Sequence, residues 1–371
     1  MERPRRVAVT LEQCWHAVPG GTARAALESI RALQAHGVPG ELELVGVSAR
    51  HSVPPPPAWT PSVPVAALPL PRLALYEAWH WLRRPDVQRA TGAVDVIHAT
   101  GMAMPPPSAP IVVTVHDLAF TRDPSQFTRR GVMFFRRAIE LARRDATLVI
   151  CPSRSTLDDC VAQGFDTSRL RLVPWGIAAD PADPATVAGA RARYGISGRY
   201  LLWAGTIEPR KNLAALLDAF AQVDRSDVTL VLVGPQGWNE DLAGRLARLG
   251  DRVRALGFVD PDALQGLYAG ADVFCYPSRE EGFGLPVLEA MAQGTAVVTS
   301  SGTATAEVAG DAGVLVDPAD VAGLAAALAL LLDDDDERGR LAVAGQVRAA
   351  EEFTWQRTAD ALGAVYAEAA P

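Results

Sequence analysis

Short apolar runs bounded by glycine, proline or acids alternate along this chain with longer stretches whose apolar positions recur every three to four residues. The runs predict strands at Arg6–Leu11, Glu41–Val47, Val94–Ala99, Ile111–Val115, Thr147–Ile150 and Leu170–Val173. A second series follows at Tyr200–Gly205, Val228–Gly234, Val253–Leu256, Ala271–Tyr276 and Thr295–Thr299. Helical periodicity predicts Ala23–His36, Leu73–Arg84, Phe127–Arg144, Leu213–Phe220, Leu264–Ala269 and Val321–Leu332, with a last helix opening at Phe353-Thr354-Trp355. Residues 53–71, broken by Pro54–Pro57, Pro61, Pro64, Pro69 and Pro71, read as a loop without regular structure. Strands alternating with helices predict an α/β fold with parallel sheets.

A length of 371 residues suits two domains, each with its own core. The expected division is 1–178 and 185–352, joined by a linker over 178–184, with 353–371 as a terminal helix. Hydrophobic residues make up 49% and charged residues 21%, and no apolar run is long enough to span a bilayer, so a globular protein is expected. The basic opening Met1–Arg6 precedes too short an apolar run for a secretory signal, which predicts a cytoplasmic protein. Cys14, Cys151, Cys160 and Cys275 lack metal or redox spacing and read as buried free thiols. All six histidines lie in the first third, so a Cys/His metal site is not available to the second domain. Asp333–Asp336 reads as the solvated end of a helix.

The net charge of −8 is unevenly spread: residues 1–180 hold 20 arginines against 16 acids, whereas 181–371 hold 15 basic and 27 acidic residues. An acidic second half argues against nucleic acid as a partner. The helix over 127–144 sets Phe134 and Phe135 among three arginine pairs, a pattern that an ordinary surface helix or a face resting on anionic lipid would both produce. Lys211 is the only lysine in the chain. It stands beside Arg210 where a strand ending at Gly205 turns towards a helix, and two cations near a helix N-terminus make a phosphate site.

The segment Glu281-Gly282-Phe283-Gly284-Leu285-Pro286-Val287-Leu288-Glu289 reads as a glycine loop running into a short helix, with Pro286 in its first turn and Gly294 as its left-handed stop. Unpaired N–H groups there would receive an anion, and the flanking carboxylates would accept paired hydroxyls. A ligand with phosphate at its centre and polyols at both ends, a nucleotide sugar, meets these demands together. Towards the N-terminus, Gly20-Gly21 between the first strand and helix would let backbone approach a diphosphate. His116, closing the strand at 111–115, sits where α/β folds bind ligands and can donate to a sugar hydroxyl or, when charged, offset leaving-phosphate charge.

The Glu-x7-Glu segment with its Gly-x-Gly and following Glu-Ala-Met-Ala-Gln-Gly, together with Arg210-Lys211-Asn212, resembles the retaining family 4 glycosyltransferases, also called group 1. The resemblance covers most of the chain and is strongest from Gly205 to Glu289. It implies the GT-B fold, two Rossmann-like domains facing across a cleft, the first on the acceptor side and the second holding the donor, with a C-terminal helix crossing back to the first. It assigns donor-sugar hydroxyls to Glu281, the ribose to Glu289, the diphosphate to Arg210, Lys211 and the Gly20-Gly21 loop, and the base to the loop with Phe258 and Val259. Gly205, Gly282, Phe283, Gly284 and Leu285 complete the donor contacts, and His116 lies beside the donor sugar. His116, Glu281, Arg210 and Lys211 are the expected catalytic set.

The implied reaction is metal-independent, cofactor-free, retaining transfer of a hexose, with mannose from GDP-mannose as the first expectation. The acceptor hydroxyl would belong to a glycan, a lipid-linked or a small-molecule acceptor in glycan, glycolipid or exopolysaccharide synthesis. A UDP-sugar transferase of the same fold, a GT-B epimerase and a non-catalytic nucleotide-sugar binder are the alternatives. A pyridoxal-dependent phosphorylase would need a lysine for its Schiff base, and the single candidate is committed to phosphate. Relatives also imply peripheral contact with the inner face of a membrane through the first domain.

Overall fold

The computed structural model describes residues 3–16, 19–37, 41–178, 180–237 and 240–371. Part of the expected linker, at residue 179, and the start of the chain lie outside the described residues. Two compact units result: Met1–Gly176 with Trp355–Pro371, and Ile177–Thr354.

The first unit is built on seven parallel strands: β1 (Arg5–Thr10), β2 (Leu42–Ser48), β3 (Val65–Ala67), β4 (Val96–Ala99), β5 (Ile111–Thr114), β6 (Ala146–Cys151) and β7 (Leu170–Leu172). Their order is β3-β2-β1-β4-β5-β6-β7. Almost every residue of β4, β5 and β6 is buried, as expected of parallel strands covered on both faces. β3 corrects the reading of 53–71 as wholly irregular. Its three residues carry no proline and pair with Gly46–Ser48 at the sheet edge, where Pro64 and Pro69 fall just outside the ladder.

Helix Gly20–His36 buries Ala23, Ala26, Leu27, Ile30 and Leu33. The last helix, Trp355–Ala369, packs on it and buries Leu362, Val365 and Tyr366, so the end of the chain is part of the first unit. Tyr366 Oη meets His98 Nδ1 at 2.8 Å and His98 Nε2 meets Thr114 Oγ1 at 2.8 Å, which satisfies every polar atom of a buried imidazole. Burial, with His116 adding to it, lowers the His98 pKa to about 3, so the ring is a neutral structural link.

The second unit holds six parallel strands: β8 (Arg199–Ala204), β9 (Val228–Val233), β10 (Val253–Gly257), β11 (Val273–Tyr276), β12 (Ala296–Ser300) and β13 (Gly313–Val316). The order β10-β9-β8-β11-β12-β13 is that of a doubly wound nucleotide-binding sheet. It reverses between β8 and β11, where Val273 pairs with Leu201 and Phe274 with Leu202. Helix Pro184–Arg193 is an addition to the expected elements. Asp183 caps it through Thr186 N and Pro184 stands in its first turn, so the helix begins inside the stretch expected to be linker.

Asp333–Asp336 is exposed at the end of helix Val321–Asp333, as expected, and in addition opens the next element. Asp334 accepts from Glu337 N and caps a further helix, Asp335–Glu352, whose acidic first turn complements the helix dipole. Asp333 and Asp335 pair with Arg225 and Arg338. The four cysteines are buried and free, with Cys151 and Cys160 in Sγ to Sγ contact at 3.7 Å.

Candidate functional site

In an open parallel sheet the strand order reverses at one point, and the loops beyond the strand ends there part to leave a crevice. In the second unit those loops follow β8 and β11. The first carries Glu208, Arg210 and Lys211; the second carries Ser278 and Glu281. Asn212, at φ 56°, turns the first loop into helix Leu213–Phe220 and donates to the carbonyls of Pro277 and Pro318, pinning the two loops together. Arg279 N donates to Arg210 O at 2.8 Å, a second tie.

Glu281 is the centre of the cluster. Its Oε1 accepts from Lys211 Nζ at 2.5 Å, Ser278 Oγ at 2.8 Å and Tyr276 Oη at 2.9 Å, and its Oε2 lies 3.3 Å from an Arg210 guanidinium nitrogen. The side chains of Lys211 and Glu281 are each 9% exposed. Burial alone would push the Glu281 carboxyl up, but Lys211 and then Arg210 overcome it and hold the group at about 2. Burial and the neighbouring Arg210 lower the Lys211 ammonium, against the opposing pull of Glu281 and Glu208. Lys211 Nζ also sits 5.3 Å from the Tyr276 ring centroid, over a face that favours a cation.

This arrangement revises the expected electrostatics of the β8 loop. Arg210 and Lys211 do not add two uncompensated charges to the helix N-terminus, because Arg210 Nε also pairs with buried Glu208 at 2.6 Å. Two cations face two carboxylates. Glu208, Tyr276 and Ser278 were missed as partners because nothing in their spacing marks them; the fold brings them to Arg210 and Glu281 through the strand ends.

The segment after Glu281 follows its expected form. Gly284, at φ 109°, precedes helix Leu285–Ala292 with Pro286 in the first turn, and Gly294 is left-handed at φ 74°. A β-carbon at Gly284 would lie 2.8 Å from Thr305 Cγ2, so both conformation and space require glycine. The Phe283 ring is buried against Phe353, centroids 5.8 Å apart, and leaves only backbone for a ligand. Gly282 is buried and Leu285 partly buried. Glu289, on the helix, accepts from Tyr268 Oη at 3.0 Å.

Beyond β8, Gly205 N donates to Val233 O at 2.9 Å. Opposite, at Gly234, φ is 132° and a β-carbon would stand 1.9 Å from Gly205 O, so these two strand ends approach through bare backbone. The loop after β10 exposes Phe258, 79% accessible, while Val259 points inward at 5%.

In the first unit, Gly20 and Gly21 form the opening turn of helix Gly20–His36 rather than a loop before it, Gly20 holding φ 66°. A β-carbon at Gly20 would meet nothing within 4 Å, so its backbone stays approachable. His116 follows β5 as expected. Its Nε2 lies 2.9 Å from Thr100 O; a carbonyl only accepts, so the proton is on Nε2. Burial lowers its pKa, against the Thr100 hydrogen bond, and the neutral ring presents Nδ1 as an acceptor, not the donor or cation expected. The unit therefore offers a hydrogen-bond acceptor at the end of β5.

Among the described residues, no group of three or more His, Cys, Asp or Glu side chains has metal-binding geometry, and no helix is long and apolar enough to cross a membrane. On helix Arg129–Asp145 the apolar pattern is turned differently from the expected face. Phe134 stacks on His80 at 4.3 Å and Phe135 on Phe120 at 5.1 Å, while Met133 is exposed, as are Trp81 and Leu82 of the segment that carries His80.

Comparison with known proteins bears on the identity of this chemistry. Residues 19–180 match the model described as Glycosyltransferase Family 4 and residues 198–334 the one described as Glycosyl transferases group 1. The chain is 32% identical over 271 residues to O-antigen chain mannosyltransferase B of Escherichia coli, covering 70% of this chain and 71% of that protein. It is 36% identical over 279 residues to an MMP alpha-(1->4)-mannosyltransferase of Mycolicibacterium hassiacum, covering 70% and 66%. Among solved structures, HepE of Anabaena in complex with UDP and glucose superposes with a TM-score of 0.77 at 20% identity, covering 98% of this chain and all of that one. WaaG, a glycosyltransferase involved in lipopolysaccharide biosynthesis, gives a TM-score of 0.71 at 20% identity, covering 97% and 99%. Its two parallel-sheet units are those of the GT-B fold, and with two family models and relatives above 30% identity the chain belongs to the group 1, family 4 glycosyltransferases.

Proposed function

We propose that this glycosyltransferase moves a hexose, with retention and without a metal, from a nucleotide diphosphate sugar to an acceptor hydroxyl. The observation that carries the reading is the Lys211, Arg210 and Glu281 cluster at the switch point between β8 and β11. Diphosphate arriving there draws on Arg210 and Lys211. Glu281, released from part of its pairing, turns its oxygens to donor-sugar hydroxyls. Glu289 takes the ribose, and the Phe258 loop the base.

As the anomeric bond breaks, negative charge grows on the leaving diphosphate. The two cations and the N–H groups at the helix starts then bind it more strongly than in the ground state, which is how they lower the barrier. Same-face departure and attack let the leaving phosphate take the acceptor proton, so no protein nucleophile is required. His116 Nδ1 accepts from a sugar hydroxyl, Gly20 and Gly21 offer backbone to the diphosphate, and the first unit holds the acceptor.

Mannose from GDP-mannose is the first donor to test, since both sequence relatives named above are mannosyltransferases. A UDP-sugar is the second reading, favoured by the UDP and UDP-glucose complexes of HepE. A panel of GDP, UDP and their sugars in thermal shift, followed by release of nucleotide from the stabilising donor, decides between them. Stabilisation by neither nucleotide refutes the reading; epimerised donor without transfer would establish the epimerase instead.

The exposed Met133, Trp81 and Leu82, with Arg129 and Arg136 also exposed, support peripheral contact of the first unit with an anionic membrane face.

A further inference from the structure

Glu12 lies just past the end of β1, on a short turn at Glu12–Trp15, and is 4% exposed. Its Oε2 accepts from Ala49 N at 2.8 Å and from His51 Nε2 at 2.9 Å, which ties it to the loop following β2. Its Oε1 is equally buried and has no hydrogen-bond partner. His16 Nε2, four residues on, is a second buried polar atom without one. Trp15 stacks on the His51 ring at 4.7 Å and 8°, and fixes it against Glu12. Arg72, at the start of the helix that follows β3, is close enough to His16 and Tyr76 to act on both electrostatically. Three neighbouring strands, β1, β2 and β3, thus deliver these groups to one end of the sheet, the end at which α/β folds bind ligands.

Buried polar atoms are normally paired, and two orphans in one cluster call for a shared partner. We propose that Glu12, His16 and His51 form a hydroxyl-binding subsite of the first unit that takes a neutral sugar or polyol. An anionic group would meet the Glu12 carboxylate, and a cationic one would meet Arg72. A hydroxyl suits both, donating to Glu12 Oε1 while accepting from His16 Nε2 or the Arg72 guanidinium. Burial, then Arg72 and His51, lower the His16 pKa, so its ring is neutral and compatible with an uncharged guest. The inference rests on the glycosyltransfer reading, in which this ligand is the acceptor or its terminal sugar.

The test uses the full chain with methyl α-D-mannopyranoside and its monodeoxy analogues, binding followed by saturation-transfer NMR. The wild type should bind the parent saturably, and one deoxy analogue should bind at least tenfold more weakly. Glu12→Gln should weaken the parent by a similar factor and show no further loss with that analogue, because the missing hydroxyl and the missing carboxylate oxygen belong to one hydrogen bond. His16→Gln, which leaves Glu12 in place, should weaken the parent at least threefold and keeps the test open if the first variant fails to fold. Parent sugar that does not saturate the wild type, or binds both variants as it binds the wild type, overturns the inference and marks the site as one for water only. Thermal shift with GDP and UDP on the same samples separates the two readings. Nucleotide binding without sugar binding removes this subsite alone, whereas loss of both removes the donor reading as well.

Discussion

Replacing Lys211 by alanine strips the buried Glu281 carboxylate of its nearest donor, the 2.5 Å contact to Nζ. Tyr276 Oη, Ser278 Oγ and Arg210 remain, at 2.9, 2.8 and 3.3 Å. Breaking a buried pair by removing one partner typically costs about 3–5 kcal/mol. The three surviving donors place this case at the lower end, about 3 kcal/mol. Against the cost of burial, titration gives the figure for all the partners of Glu281 together, Lys211 first and then Arg210 and Ser278. Glu281 is held at about 2 against an ordinary 4.5, and at roughly 1.4 kcal/mol per pH unit that is worth about 3.5 kcal/mol of stability to the folded state. Because the folded pKa is depressed, this stability is fully present above pH 4.5 and is lost as the pH falls from there towards 2. Urea unfolding of wild type and Lys211→Ala at pH 7 and pH 3 checks both parts. The variant should be less stable at pH 7 by about 3 kcal/mol, and its loss on acidification should be clearly smaller than that of the wild type. Equal unfolding midpoints at pH 7 with parallel acid profiles would refute the reasoning, since Lys211 would then contribute nothing to the state of Glu281.

The same variant should bind nucleoside diphosphate about 1.5–3 kcal/mol more weakly, the scale of a charged hydrogen bond, by isothermal titration. Glu289→Ala should reduce affinity for free nucleoside diphosphate at least about tenfold through loss of a carboxylate acceptor; affinity equal to wild type would take Glu289 out of the site. Gly234→Ala, whose new methyl would overlap Gly205 O at 1.9 Å on a backbone with φ 132°, should destabilise by more than about 3 kcal/mol or fail to accumulate as folded protein. A wild-type thermal midpoint for it would show that the two strand ends are not in contact. On the membrane face, each lost basic charge is worth about 1 kcal/mol near anionic lipid. Arg129→Glu with Arg136→Glu should therefore cut co-sedimentation with phosphatidylserine vesicles at least about tenfold, and unchanged binding would exclude that face.

Most strands were legible because parallel strands covered on both sides must be almost continuously apolar, and Val228–Val233 or Ile111–Thr114 can hardly be read otherwise. The short edge strand Val65–Ala67 was hidden because its environment, not its composition, makes it a strand. The helix after Asp334 was hidden by its own acidic first turn, which resembles a solvated tail until the capping bond to Glu337 is seen. At the candidate site the charged residues were visible and their pairing was not. Sequence separates Lys211 from Glu281 by 70 positions, and only the adjacency of β8 and β11 makes them neighbours. The state of His116 depended likewise on Thr100 O, a backbone atom with no trace in the residue types around it.

The membership of Trp355–Pro371 in the first unit has a consequence for synthesis. A ribosome finishes the second unit before it delivers the helix that shields Gly20–His36 and gives His98 its tyrosine partner. Until then the nascent first unit waits with an apolar flank uncovered, and is open to misassembly while domains emerge in order. A chain cut after residue 354 would be held in that unfinished condition permanently.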